Sequence, residues 1–535
     1  MNKKLSRSIL SICVLLSIKH ITCANYCCDK NYAFSKTHFS QRPQGNNQAL
    51  VFVGNSYKTH LIDNDENYLN ITIALGYKQN FNRYDLGRYF FTERGPLNIG
   101  MANSDVDIQN LQLGLASNFK GTACLLPQIH ELNADIDVFI GLDKWFQGVW
   151  GRLRLPFVNT NWNPCLNTSN NETGTSVYPD GFASNAGNIV NVEYRTLEDA
   201  LCDGSRIGMI PEAEGGKICC NNKRYGLSDI HLELGYDFLR GEHGNLGIAL
   251  VGAIPTGQPN FKKGNHDLFT PSIGSQMSGQ IGVALRGQYE IFNSAPSNKA
   301  VTIYSDLRTI YLMPGCNRRL FSLWANGTTA FNSWLMLNRY NSQGTFIGTE
   351  RAVNVLNQKV KVSATMLEWT LMGQMRKDNW DISLGYNFWY RSQETLCPTN
   401  KVLGNGSDYY AIKYTNTDFT TNPPTVTSDW GTHFLSKITH DIANQSTKTQ
   451  AGETPSYLLP TVENLKNFGI RAGDIDVCAA QHPATYSNMF FGYVGYNFSQ
   501  TWLKPFFGFS GQLEMGRGNT ALSTWALYLK GGISF

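Results

Sequence analysis

From residue 69 to 78 the chain alternates without a break: Leu69, Ile71, Ile73, Leu75 and Tyr77 are apolar, while Asn70, Thr72, Ala74, Gly76 and Lys78 are small or polar. A period of two over ten residues marks a strand with one apolar face. The same alternation runs through 230–238, 281–291, 301–311, 367–375, 380–390 and 525–535, and in shorter or noisier form through 136–142, 149–157, 246–254, 490–498 and 507–515. The stretch 106–115 slips parity between Ile108 and Leu111, which reads as a bulge. These thirteen segments, with weaker ones at 49–53, 189–194 and 409–414, predict about 16 strands, within a range of 14 to 18.

Two hairpins test the faces against the turns. A turn at 376–379 sets Met375 opposite Trp380, and pairing Ile291 with Val301 sets Arg286 against Asp306; both keep the apolar faces of neighbouring strands on one side. A soluble sandwich turns that face into its core, whereas a membrane barrel turns it to lipid and lines its bore with small and charged residues. The aromatics decide between them. Trp380 and Tyr390 bracket Ile382 and Leu384, and Trp525 and Phe535 bracket Leu527, Leu529 and Ile533. Ten residues at ~3.3 Å each, tilted ~40 to 45°, rise ~24 Å, close to the ~25 Å band between aromatic girdles. Lipid offers no water to backbone groups, so the sheet must close. The pattern predicts an all-β, transmembrane, antiparallel up-and-down barrel over residues 68–535, with long extracellular loops.

Composition agrees. Charged residues make up 16%, aromatics 12%, and there are 50 glycines, which suits many strands and tight turns. Lys3, Lys4 and Arg7 precede an apolar run from Ile9 to Ile18, and a signal peptide over 1–24 is expected, cut after Ala24. Later apolar stretches are too short for a spanning helix. Residues 25–67 are expected to be a periplasmic segment, a first strand or a short plug. A formal charge of +4 gives no argument for a nucleic-acid partner.

The chain ends ALYLKGGISF, with Leu527, Leu529, Ile533 and the final Phe535 on one face. This resembles the C-terminal assembly signal of Gram-negative outer-membrane proteins, although Gly531 interrupts the apolar row. The segment LGIALVGAIPTG is similar to transporter-type and porin-type barrels, and the cysteine-rich major outer-membrane porins of intracellular bacteria are the nearest analogy in composition. The resemblance implies an outer-membrane barrel of porin type, with lipid and the barrel-assembly machinery as partners. It places the short turns at 239–245, 293–299, 376–379 and 499–500 in the periplasm, and the connections 255–280, 313–366 and 392–489 outside.

Inward positions carry Lys78, Arg152, Arg154, Arg286, Arg308 and Lys530 against Asp135, Asp137, Glu233, Asp237, Glu290, Asp306, Glu368, Asp381 and Glu514. Near-balance favours pairing across strands over strong ion selectivity, with Arg152 and Arg154 forming a local anion-attracting patch. Cys124, Cys165, Cys202, Cys219, Cys220, Cys316, Cys397 and Cys478 fall in connections and are expected to form disulfides that brace loops or link copies of the chain. No H-E-x-x-H, G-x-S-x-G or phosphate-binding loop occurs, and His38-Phe39-Ser40 only partly matches the His-x-Ser of outer-membrane phospholipases. The expectation is a porin-like channel for small hydrophilic solutes, without cofactor or catalysis. A substrate-specific transporter, for example for hydrophobic compounds, and a crosslinked structural or adhesive surface protein are the alternatives.

Overall fold

The computed structural model describes all residues except 1–35, 62–65, 91–95, 101–106, 117, 173–195, 219–221, 260–267, 295–297, 324–333, 399–407, 414–415, 419–424, 428–461, 471–474 and 499–500. The signal peptide, Cys219, Cys220 and the weak segment at 189–194 therefore lie outside the described residues.

Twelve strands form the wall: β1 (Tyr68–Asn80), β2 (Gln128–Gly141), β3 (Val149–Asn163), β4 (Ile230–Gly241), β5 (Gly244–Ile254), β6 (Gln280–Ser294), β7 (Lys299–Leu320), β8 (Asn357–Lys377), β9 (Trp380–Arg391), β10 (Thr485–Asn497), β11 (Phe506–Gly516) and β12 (Thr524–Ser534). Each pairs antiparallel with its chain neighbours, and β12 pairs with β1 from Asn70↔Ser534 to Asn80↔Thr524. The ring is closed, so no wall strand presents an unpaired edge.

Among the described residues the closed ring holds twelve strands rather than about 16, with the short strands Asn222–Leu227 and Thr395–Pro398 paired beside it, and the reasons are local. Twelve of the thirteen alternating segments are the twelve staves. The thirteenth, 106–115, is a two-residue strand followed by a 3-10 turn, Asn110–Leu113, so its slipped parity marks a change of backbone rather than a bulged stave. Residues 49–53 belong largely to a helix, and Tyr409–Ile412 pairs with Met336–Tyr340 in a small sheet away from the wall.

Registers follow the turns closely. Arg286 stands opposite Asp306 as expected, but the ladder shifts between Glu290 and Phe292, so Val301 meets Phe292 and Ile291 is bulged out. The β8–β9 hairpin is two residues tighter than the sequence suggested: Lys377 pairs with Trp380 and Met375 with Ile382, because Asp378 takes φ 53 and closes the turn. A shift of two leaves every side chain on its own face.

The outer face is apolar: Leu384 is 71% exposed and Leu527 61% exposed, with Leu75, Leu234, Leu250 and Phe509 around the same belt. Aromatic rings rim it, Trp380 against Tyr496 at 5.4 Å between centroids near one end and Tyr77 against Trp525 at 5.5 Å near the other. The short turns and both termini of the wall share one end. At the opposite end the long connections form a cap with its own core, in which Leu86, Tyr89, Leu201, Phe321, Trp334 and Val353 are buried together. The helix Arg83–Phe90 belongs to this cap.

Residues 36–61 run through the barrel interior. They touch the cap at Lys36 and Thr37, where the Lys36 ammonium donates to the Cys478 carbonyl at 2.6 Å and the Thr37 N–H to the Ala479 carbonyl at 2.9 Å. They reach the short-turn end at Lys58 and Leu61, where Lys58 Nζ donates to the Lys504 carbonyl and Arg240 to the Leu61 carbonyl. In between, helix α1 (Gln48–Phe52), capped by the Asn47 side chain, buries Leu50, Val51 and Phe52 against inward-facing Tyr304, Met372, Phe491 and Tyr493. This segment plugs the bore.

Candidate functional site: the plugged lumen

Alternation carries the charged residues inward, where most meet an opposite charge. On β6 and β7, Arg286 Nε donates to Asp306 Oδ2 at 2.7 Å and Arg308 Nε to Asp306 Oδ1 at 2.7 Å. Both guanidinium groups also reach Glu233 on β4, at 3.2 Å and 3.1 Å. Nearby, Arg152 lies 3.2 Å from Asp137 and Arg154 lies 2.6 Å from Asp135. Lys78 and Glu131, directly opposite in the β1–β2 ladder, meet at 2.6 Å. All of these groups are largely shielded from water, Asp306 at 0% exposure. In so dry a place an unmatched charge would be costly, and the two-to-two arrangement of arginines and carboxylates avoids one.

The plug is fastened to this wall. Arg42 donates to Glu368 at 2.5 Å, to Asn387 at 3.0 Å and to Glu514 at 3.3 Å. Arg154 donates to the Gly45 carbonyl at 2.9 Å, and Glu368 accepts the Gln48 N–H at 3.2 Å. Lys530, on the last strand, places its ammonium at the C-terminal end of α1, 2.7 Å from the Leu50 carbonyl, 3.2 Å from that of Val51, 2.8 Å from that of Val53 and 2.9 Å from Asn55 Oδ1. A cation suits those outward-pointing carbonyls. Asp381, opposite Arg376 in the β8–β9 ladder, accepts from Gln374 at 2.7 Å and Ser383 at 3.2 Å.

Of the fifteen inward positions read from the sequence, Arg152, Arg154, Glu233, Arg286, Asp306, Arg308, Glu368, Asp381 and Lys530 are buried inside the barrel, as are Asp135, Asp137, Asp237 and Glu514, while Lys78 and Glu290 are half-buried. Arg152, Arg154, Glu233, Arg286, Asp306 and Arg308 form one charged belt; Glu368 and Lys530 hold the plug, as Arg154 does through Gly45. Sequence reasoning missed the plug's own side chains, above all Arg42, Asn55 and His60. Their segment has no period, and the signal available was its length between the export signal and the first strand. Ser40, from the partial phospholipase-like motif, is committed to anchoring: its hydroxyl accepts from Arg391 at 2.6 Å and from Gln276 at 3.1 Å.

A cavity of about 40 Å³ lies between residues 42–47 and the wall, lined by Arg42, Lys78, Glu131, Asp135, Gln512 and Glu514. It holds only a few waters. A wider vestibule of about 370 Å³ opens at the short-turn end among Tyr57, His60, Gln288, Glu290, Tyr304 and Arg376.

At the C-terminus, Leu527, Leu529 and Ile533 project outward opposite Tyr77, Leu75 and Ile71, and the Phe535 ring stacks on Trp502 at 5.8 Å. The cysteines need a correction. Among the described residues Cys124, Cys165 and Cys316 are outside any disulfide. Cys316 and Cys397 flank Lys361 from its two sides, two strand spacings or roughly 9.6 Å apart. Cys397 and Cys478 each take part in a disulfide.

A closed antiparallel wall, apolar outside and charged inside, defines a membrane-spanning β-barrel. No family model and no curated protein matches the chain. Among solved structures it is similar to the COG4313 outer membrane channel from Pseudomonas putida F1, at 11% identity over 87% of this chain and 96% of that one, with a TM-score of 0.30. It is also similar to the CymD monoaromatic hydrocarbon channel, at 8% identity over 87% and 88% with a TM-score of 0.25, and to Pseudomonas putida OprB, at 10% over 88% and 94% with a TM-score of 0.20.

Proposed function

We propose that the protein is an outer-membrane channel for passive diffusion of small hydrophilic solutes, closed in this conformation by its own N-terminal segment. The observation that carries the reading is the lumen: much of its wall is lined by paired charges and amides, and beside the apolar contacts of α1 the plug is fastened at Arg42 and Lys530 by polar contacts that water can replace when it moves. A route for hydrophobic compounds would need an apolar path, and Arg152, Arg154, Arg286, Arg308 and their carboxylates set charge along the side of the bore formed by β2 to β7. Export by the signal peptide, insertion by the barrel-assembly machinery through Phe535 and its face, and orientation with the capped end outward belong to the same proposal. No cofactor is implied.

Solute flux into proteoliposomes tests it. Sugars of increasing size are expected to enter slowly through the wild-type protein and faster through Lys530→Met, with rates that fall as the solute grows. Flux of neither protein above that of empty liposomes contradicts the reading.

A further inference from the structure

His60 sits where the plug leaves the bore, in a left-handed conformation at φ 54, with its ring packed between Phe139 at 4.9 Å and Trp150 at 4.7 Å. Its Nδ1 is 3.0 Å from Asp237 Oδ2, and its Nε2 is 3.4 Å from a terminal nitrogen of Arg286. A guanidinium can only donate, so Nε2 presents its lone pair and the single ring proton is on Nδ1, donated to Asp237. Neither partner is at liberty to turn away. Arg286 is held by Asp306 and Glu233, and Asp237 also accepts from Trp150 Nε1 at 3.2 Å and Asn245 Nδ2 at 2.9 Å.

A second ring proton would point from Nε2 at the Arg286 donor. The groups facing the imidazole from the wall are Asp237 on β4, which favours the charged ring, and Arg286 on β6 and Arg152 on β3, which oppose it. Glu233 and Asp306 are already matched to the arginines, and Tyr57, Glu242, His243, Glu290 and Arg376 line the vestibule beyond. We propose that His60 is an acid-released latch: the short-turn end of the plug stays seated while the imidazole is neutral and lets go when the ring takes a second proton. Burial is the largest influence on this imidazole, and with the two arginines it outweighs Asp237, holding the pKa below the ordinary value. The seated state is therefore favoured above about pH 6.5 and loses ground below it. The role as a gate rests on the channel reading; the latch itself does not.

Hydrogen exchange of the full-length protein in lipid nanodiscs tests the latch without measuring transport. Rates for residues 55–61, corrected for the intrinsic effect of pH, are compared at about pH 7.5 and about pH 4.5. Wild-type protection is expected to fall by about tenfold or more across that range. His60→Gln can still donate to Asp237 and accept from Arg286 but has no proton to gain, and its protection is expected to change by less than about twofold. Should His60→Gln fail to fold, the wild type alone decides: the loss must be confined to 55–61 and have its midpoint below about pH 6.5. Unchanged wild-type protection, loss spread evenly over the barrel, or a His60→Gln variant that follows the wild type overturns the latch. Sugar flux is a separate outcome, so either idea can fail while the other stands.

Discussion

Asp306 shows what the lumen asks of one side chain. Fully buried, it accepts from Arg286 Nε and from Arg308 Nε and a terminal nitrogen of Arg308, and without it two guanidinium groups share Glu233 alone. Breaking a buried charge network from one side costs about 3 to 5 kcal/mol. Asp306→Asn is expected to lower stability by that order in urea titrations of the liposome-embedded protein, and a loss below about 1 kcal/mol would mean the belt is hydrated. His482 makes a second residue-scale case at the cap. Its ring packs on Phe39 at 5.4 Å, and burial, followed by the charges of Arg391, Lys36 and Arg319, pushes the imidazole well below its usual pKa. A histidine depressed in the folded state contributes fully above its unfolded value near pH 6.5 and loses that contribution as pH falls. Amide protection around residues 477–484 should therefore weaken below about pH 6.5 in the wild type and not in His482→Gln. Equal profiles would rule that out.

Strands follow a different rule from loops, and this decides how much could be read from the sequence. Leu384 and Ser383 are neighbours on β9, yet Leu384 is 71% exposed on the outer face and Ser383 is buried inside. Leu384→Arg is expected to cost about 2 to 4 kcal/mol in the bilayer, as a charge near the midplane of a barrel does. An unchanged urea midpoint would show that this face does not meet lipid. The requirement that each stave be apolar on one side and polar on the other is written into every second residue, which is why Trp380–Arg391 and Thr524–Ser534 were legible and the pairing of Arg286 with Asp306 followed from them. Ala49 to Val53 imitate a strand for five residues, but their neighbours Gln48 and Asn55 are polar and α1 is set by contact with Tyr304 and Phe491 from distant staves. The cap has no period at all, since Leu86, Leu201 and Trp334 share one core from three separate connections. Likewise Arg42 meets Glu368 and Glu514 only after the whole ring has closed.

At the scale of the molecule, the wall, the plug and the cap are tied into one object. The last strand closes on the first, and through Lys530 it also caps the plug helix, so the residue that completes the ring helps to seat the stopper. Lys530→Met keeps much of the side chain's length and apolar bulk but leaves three buried carbonyls and the Asn55 oxygen without this donor, at a cost of about 1 to 3 kcal/mol per orphaned acceptor. That penalty falls on the seated state. Single-channel recording of the refolded full-length protein in a planar bilayer, wild type beside Lys530→Met, tests the central claim most directly. The plugged barrel predicts a wild type that is closed most of the time with brief openings, and a variant open about tenfold or more of the time for each ~1.4 kcal/mol removed from the seated plug. A wild type that conducts steadily, with an open fraction that Lys530→Met leaves unchanged, would contradict it.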